Sequence, residues 1–412
     1  MAVTVQPRPP GDERVRRTLA LWVVLALVAA GAVRITVIGG EFLSAYPKAT
    51  LTATALFALL AVPFWLFLAD LDFLEPEPIG MQMLAFGWGA LVATSASIAV
   101  SPALEGLIGR PGLAGPAVEE VTKTLGIVAI VLIGRDQINS VLDGIVYGAI
   151  VGLGFQIVED IVFAMGAVAQ AGHGDSTRPV VATFLLRGFL AGAWSHTLFG
   201  ALAGAGLGYL VVRRDRGRPR RIGVALLAVL GAWGAHVLWN TPLPGYGLGT
   251  GGLALLTVLI FKGLPPLLLI LLLVRAAHDR EADFYTARLV ELDDPSLVTA
   301  GEIAALRSGQ RRAEARRHAR LRAGPKAQAS VRRLQRAQAR LAVELSRCPE
   351  VPDERWRAAV HEQRAILAGL GVAEAVVPPG GAGAWRRRAE SALTVAVGIA
   401  VLWAALRALS GS

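Results

Sequence analysis

Along the chain, long apolar runs alternate with short polar breaks. A run of about 20 apolar residues is what a helix needs to cross a bilayer. Eight such runs follow in succession, at 18–38, 49–70, 81–101, 116–134, 141–169, 180–212, 222–241 and 252–274. A hydrophilic stretch, 276–388, separates them from a ninth run at 389–409. The pattern predicts an all-α fold, a polytopic membrane protein with about eight to nine transmembrane helices and a cytoplasmic helical segment. The expected parts are an N-terminal tail (1–17), an eight-helix core (18–275), a basic segment (276–388) and the ninth helix with a short tail (389–412). The first run follows "RVRR" and contains "LVAAGAV", a composition that signal peptides share. Its long polar lead, and apolar residues continuing past Arg34, favour an uncleaved span.

Composition sharpens this picture. The 412 residues are 54% hydrophobic and 17% charged, and the mean hydropathy of +0.53 exceeds what a soluble core of this size requires. Cys348 is the only cysteine, which excludes an intrachain disulfide. The net charge of +10 is unevenly spread. "RRDRGRPRR" (213–221) is the most positive loop, and such loops face the cytoplasm. Alternation then places the N-terminus and residues 276–388 inside, with the turn "TPLPGYGLGTGGL" and the C-terminus outside. Residues 276–388 show broken helical periodicity with arginines between the apolar positions, which predicts a helical hairpin with solvated charged faces. Arginines clustered beside a membrane also suit anionic lipid headgroups. No nucleic-acid partner is expected, because no binding motif and little aromatic interleaving accompany the charge.

Ionisable groups cost several kcal/mol in hydrocarbon, so they are seldom kept there without a use. The fourth run holds Glu119, Glu120 and Lys123, and the fifth Glu159 and Asp160. The sixth holds Arg187 and His196, and the seventh His236 and Asn240. Each of these runs has a charged cytoplasmic boundary, at Arg135, Asp143, Arg213 and Arg221. Counting about 20 residues outward at 1.5 Å each brings the glutamate pair, Glu159, His196, His236 and Asn240 to one depth, the outer third. Arg187 falls beyond that edge and is expected at the interface. Glu119 and Lys123 share a helix face, as do His236 and Asn240. His196 precedes Gly200, Gly204 and Gly208, a spacing that lets helices approach closely.

Taken singly, these residues have plainer uses: an interfacial Glu119–Lys123 salt bridge, or histidines held in packing by hydrogen bonds. Together they make a chemical site. A carboxylate can deprotonate water, imidazoles can bind a metal or an oxyanion, and an amide can donate to developing negative charge. Two imidazoles and a carboxylate also make a zinc site with an open position. Either scheme suits hydrolysis of a peptide bond inside a membrane. "GHGD" (172–175) resembles an aspartyl-protease signature but sits in a polar loop without a second aspartate, and "HEQRA" at His361 lacks the second zincin histidine. Lys262, followed by Pro265 and Pro266, lies deep in the eighth run. With the buried Glu and His groups it supports a rival reading, a proton- or ion-coupled transporter.

The ordered set Glu119-Glu120-x-x-Lys123, Phe155-x-x-x-Glu159, lone His196 and His236-x-x-x-Asn240 resembles the PrsW family of intramembrane proteases across about residues 115–241. The family is similar to the type II CAAX prenyl proteases. The resemblance implies a bacterial inner-membrane endopeptidase that cuts membrane-anchored proteins, such as an anti-sigma factor, on the outer side. It implies Glu119 or Glu120 as general base tuned by Lys123, and Asn240 as ligand-orienting or oxyanion-donating. His196 and His236 would bind metal or oxyanion, with Glu159 as a third ligand. Zinc is the metal it suggests, and a metal-free glutamate mechanism stays open. Asp160 departs from the amide expected after the second-motif glutamate.

Overall fold

A computed structural model describes residues 11–71, 77–191, 195–241, 259–347 and 354–376. The ninth apolar run, the turn at 242–258 and Cys348 lie outside the described residues. All described regular structure is helical, and the chain divides into two compact units, one around residues 8–273 and one from Val274 onward.

In the first unit, α1 (Gly11–Ala45), α2 (Pro47–Leu71), α3 (Ile79–Ile108), α4 (Pro111–Ile133) and α5 (Val141–Ala171) follow in order. A short α6 (Arg178–Thr183) runs into a π-helical stretch, Phe184–Ala191, ahead of α7 (Ser195–Val212) and α8 (Arg218–Asn240). Residues 192–194, inside the span expected over 180–212, lie outside the described residues. Another π-helical stretch lies within α3, at Trp88–Ala93, and a third, Leu259–Gly263, leads into α9 (Leu264–Glu291).

Local chemistry sets the boundaries. Gly109 closes α3 in the left-handed conformation, and Pro111, which lacks the N–H that a first turn leaves unpaired, opens α4. Ser140 and Asp143 form a reciprocal capping box at the start of α5. Asp175, of the "GHGD" loop, accepts from the backbone N–H groups of Lys48 and Ala49 at 2.9 and 2.8 Å and so caps α2.

Seven described helices are long and apolar enough to cross a membrane. α4 has the length, but every 18-residue stretch of it includes Glu119, Glu120 and Lys123. The helix that looks least like a span is the one that carries the chemistry.

α5 is the axis of this unit. Its apolar stretch is 89% buried, against 11% for α1. Burial this complete relies on backbones in contact. A Cβ added to Gly148 would collide with the carbonyl of Gly200, and one on Gly204 with that of Gly144. The Gly200/Gly204/Gly208 stripe on α7 therefore meets a matching stripe on α5, Gly144/Gly148/Gly152. Replacing Gly148 by Val should lower stability by about 2–3 kcal/mol through overpacking. Gly223→Ala, at a position with nothing within 4 Å, should change little. Thermal unfolding of the detergent-solubilised protein compares the two.

The second unit holds the end of α9, α10 (Ala300–Leu306), α11 (Gly309–Arg347, kinked at Ala323 and Gly324) and α12 (Glu354–Gly369). Leu289, Leu297, Val331, Leu334, Leu341, Val360 and Leu367 form a core of its own. Glu302, 1% exposed, sits within it and is satisfied by Arg364 at 2.6 Å and Gln338 at 2.9 Å. The segment is a packed helical unit, more than the hairpin its periodicity suggests.

Candidate active site

The close contact of α5 with α7 carries His196 against α5, since a Cβ on Gly152 would strike the His196 carbonyl. The Phe155 ring lies 4.9 Å from the imidazole of His196. One turn beyond Phe155, Glu159 Oε2 stands 2.9 Å from His196 Nε2. On α4, Lys123 Nζ lies 2.5 Å from Glu120 Oε1 and 3.0 Å from His196 Nδ1. On α8, His236 Nδ1 lies 2.8 Å from the same Glu120 oxygen. The two imidazole rings are 4.9 Å apart and nearly perpendicular, and Phe199 stacks on His236 at 5.1 Å. Side chains from four helices thus meet.

Hydrogen-bond partners fix the tautomers. A carboxylate can only accept, so His236 donates from Nδ1 to Glu120 and keeps a lone pair on Nε2. The Lys123 ammonium can only donate, so His196 accepts at Nδ1 and gives its Nε2 proton to Glu159. Both accepting nitrogens, His196 Nδ1 with Lys123 already on it, also lie near Glu119. Glu119 Oε2 lies 3.7 Å from His236 Nε2 and 4.0 Å from His196 Nδ1. That oxygen is buried and has no hydrogen-bond partner. Its sister, Oε1, accepts from Ser97 Oγ on α3 at 3.4 Å. Asn240, exposed at the end of α8, holds Nδ2 3.4 Å from His236 Nε2.

This donor set fits a metal ion. Glu119, His196 and His236 each offer a ligand atom, all within 4.8 Å of one another. Tetrahedral zinc with bonds of about 2.0–2.1 Å needs donors only somewhat closer than that. Each imidazole also hands its other nitrogen to a carboxylate, as metal-binding histidines generally do. Glu159, expected as the third ligand, instead holds the far nitrogen of His196, and the carboxylate at ligand spacing is Glu119. An ion at His196 Nδ1 would have to displace Lys123.

Residues 77–265 match the model of the PrsW family intramembrane metalloprotease. The PrsW match covers a little under half of the chain and contains every residue of the cluster, including Ser97. It agrees with the resemblance read from the Glu119–Asn240 motifs. Neither a curated protein nor a solved structure matches the chain. The PrsW match supports an intramembrane peptidase in a multi-pass membrane protein, acting on membrane-protein substrates.

Three partners of the cluster were not recognised as such in the sequence. Arg187, expected at the interface, reaches Glu159 Oε2 at 2.7 Å and Asp160 Oδ1 at 2.5 Å from the π-helical stretch. A guanidinium matching two adjacent carboxylates is the signal that could have found it, since paired acids in hydrocarbon call for a countercharge. Asp160 has its place as the second tooth of that fork. Ser97 gave no signal, because serines are ordinary in spanning helices. Lys262, which motivated the transporter reading, donates to the backbone carbonyls of Trp239 (2.9 Å) and Thr241. These flank Asn240 at the C-terminus of α8, where helix carbonyls lack partners.

Proposed function

We propose that the chain is an intramembrane endopeptidase in which Glu119 is the reacting carboxylate. The observation that carries this is the buried, unpartnered Glu119 Oε2, which lies 3.7 Å from His236 Nε2 and 4.0 Å from His196 Nδ1. Glu119 takes a proton from a water molecule as the oxygen attacks the scissile carbonyl. The peptide C–N bond then breaks, and Glu119 returns the proton to the departing amine. Asn240 Nδ2 donates to the oxyanion. Glu120 and Glu159 fix the tautomers of His236 and His196, and Lys123 neutralises Glu120.

The ion implied by the family description would be held by Glu119, His196 and His236, and with it bound Glu119 would serve as its ligand in place of serving as the base. Bound there, it supplies Lewis-acid polarisation of the carbonyl and eases deprotonation of water. Zinc suits two imidazoles and a carboxylate. Purified wild-type protein is expected to carry about one zinc per chain by elemental analysis, and His236→Ala to carry none. Zinc-free protein that still cuts would favour the glutamate mechanism.

The substrates fitting this reading are membrane-anchored proteins, with regulators such as an anti-sigma factor as the class the resemblance suggests. His196 opens α7 and His236 closes α8, whereas the loop 213–221 joins their opposite ends. With that arginine-rich loop cytoplasmic, the site lies near the outer face of a bacterial inner membrane and the N-terminus lies inside. Reconstituted protein with a tagged single-span substrate tests the function. Cutting by wild type and none by Glu119→Gln or His236→Ala is the expected result, and undiminished cutting by both variants would refute it. Transport finds no observation in its favour, because Lys262 serves as a helix cap.

A further inference from the structure

Each turnover of a hydrolase consumes one water, and the cluster around Glu119 lies among apolar helices. Ser97, Ser101 and Glu105 recur at four-residue steps and so line one face of α3. Ser97 Oγ donates to Glu119 Oε1 at 3.4 Å and lies 3.2 Å from Ser101 Oγ. Ser97 has a single proton, given to Glu119, so Ser101 is the donor between the two hydroxyls. The result is a directed series from Ser101 through Ser97 to Glu119, with the Ser101 lone pairs left for a further donor. Exposure grows along it: Ser97 is 9% exposed, while Ser101 and Glu105 are half-buried. Other positions on the same helix are apolar and exposed, Val100 at 47% and Leu107 at 83%.

Across from this face stands Gly115, one turn before Glu119 on α4. A Cβ placed there would lie 3.6 Å from Glu105 Oε1 and 3.8 Å from Glu119 Oε1, and among the described residues no other neighbour is found within 4 Å. Two carboxylates therefore border one spot that none of the described side chains fills. A water held among buried groups needs two to four polar partners, and these carboxylates are two.

We propose that the Ser97–Ser101–Glu105 face of α3, with the gap at Gly115, is the route by which water reaches Glu119 and by which protons leave it. Its catalytic meaning rests on the peptidase reading, but its existence does not. Glu105 draws water in at the mouth, the missing Cβ of Gly115 leaves room for it, and the serine hydroxyls pass hydrogen bonds inward.

Accessibility tests the route without reference to catalysis. The native chain has one cysteine, Cys348, so Cys348→Ala gives a background for single-cysteine variants in membrane vesicles. A thiol reacts as its thiolate, which needs water, so Ser101→Cys and Glu105→Cys should react with a charged methanethiosulfonate at least about ten-fold faster than Val100→Cys. Gly115→Leu should slow the Ser101→Cys reaction and leave Glu105→Cys fast. Gly115→Ala places a methyl at ordinary contact distance, so it should fold normally, yet lower kcat about five-fold with KM unchanged by displacing ordered water. Both cysteines reacting no faster than Val100→Cys would overturn the route. Fast labelling in a protein that cuts nothing would uphold the route and sink the peptidase reading instead.

Discussion

Glu119→Gln is expected to reduce peptide cleavage by about 10²–10⁴-fold, the range associated with loss of a positioned general base. Glutamine keeps the volume of the side chain and its contact with Ser97 Oγ, so the loss should come without a drop in folding stability. The adjacent residue provides the contrast. Both glutamates have a buried oxygen without a hydrogen-bond partner, but Glu120 Oε1 already receives Lys123 at 2.5 Å and His236 at 2.8 Å. Neutralising that side chain removes the negative charge that offsets a lysine ammonium in an apolar interior. Glu120→Gln should therefore lower stability as well as activity, and part of its lost activity should return on cooling. Initial rates with a single-span substrate, measured beside thermal unfolding of the same samples, separate the two. A Glu119→Gln enzyme within ten-fold of wild type would move the reacting carboxylate elsewhere.

How much of this was legible in the sequence depends on the range of the interaction concerned. Spanning helices are local, because a run of about 20 apolar residues fixes each one. Depth is nearly local too, since a charged boundary and a 1.5 Å rise bring Glu119, His196, His236 and Asn240 level before any packing is known. The Gly200/Gly204/Gly208 stripe announced close packing, but not against what. Its partner, Gly144/Gly148/Gly152, lies in "DGIVYGAIVG", where the glycines read as part of an apolar run. Which carboxylate faces which imidazole nitrogen was beyond reach. A neighbour on a helix is turned by about 100°, and the rotation of each helix is set only by contact with the others. Hence Glu159 looked like a ligand and Glu119 like one of two equal bases, although their oxygens address different nitrogens of His196.

The π-helical stretches were invisible for a similar reason. Trp88–Ala93, Phe184–Ala191 and Leu259–Gly263 have nothing in their composition to distinguish them from α-helix. Each nevertheless carries a side chain that supports the cluster. Trp88 donates to the Thr122 carbonyl at 3.0 Å beside Lys123, Arg187 holds Glu159, and Lys262 holds the end of α8. Wider turns of this kind occur often at functional sites. Here they supply side-chain directions that an unbroken α-helix would not.

Lys123→Met should be the most destabilising single change in the cluster, at about 3–5 kcal/mol, the usual cost of leaving one half of a buried ion pair unmatched. The side chain is 1% exposed, and its ammonium lies 4.9 Å from the centre of the Phe155 ring. Glu119, Glu120, Glu159 and Asp160 set four carboxylates against two permanent cations, Lys123 and Arg187. Removing one cation leaves Glu120 with only the His236 N–H for its charge. Adding Glu120→Gln to Lys123→Met removes that anion and should recover most of the lost stability. The double variant should then be more stable than the sum of the two single changes predicts. Thermal unfolding in detergent measures the cycle. A double variant as unstable as Lys123→Met alone would mean that the lysine acts through its contacts with Phe155 and Phe199, whose ring centre is 5.9 Å away, rather than through charge. Recovery would instead identify the α4 glutamate–lysine pair as a matched electrostatic unit, kept in hydrocarbon because it holds His236 and His196 in the tautomers that leave Glu119 free to react.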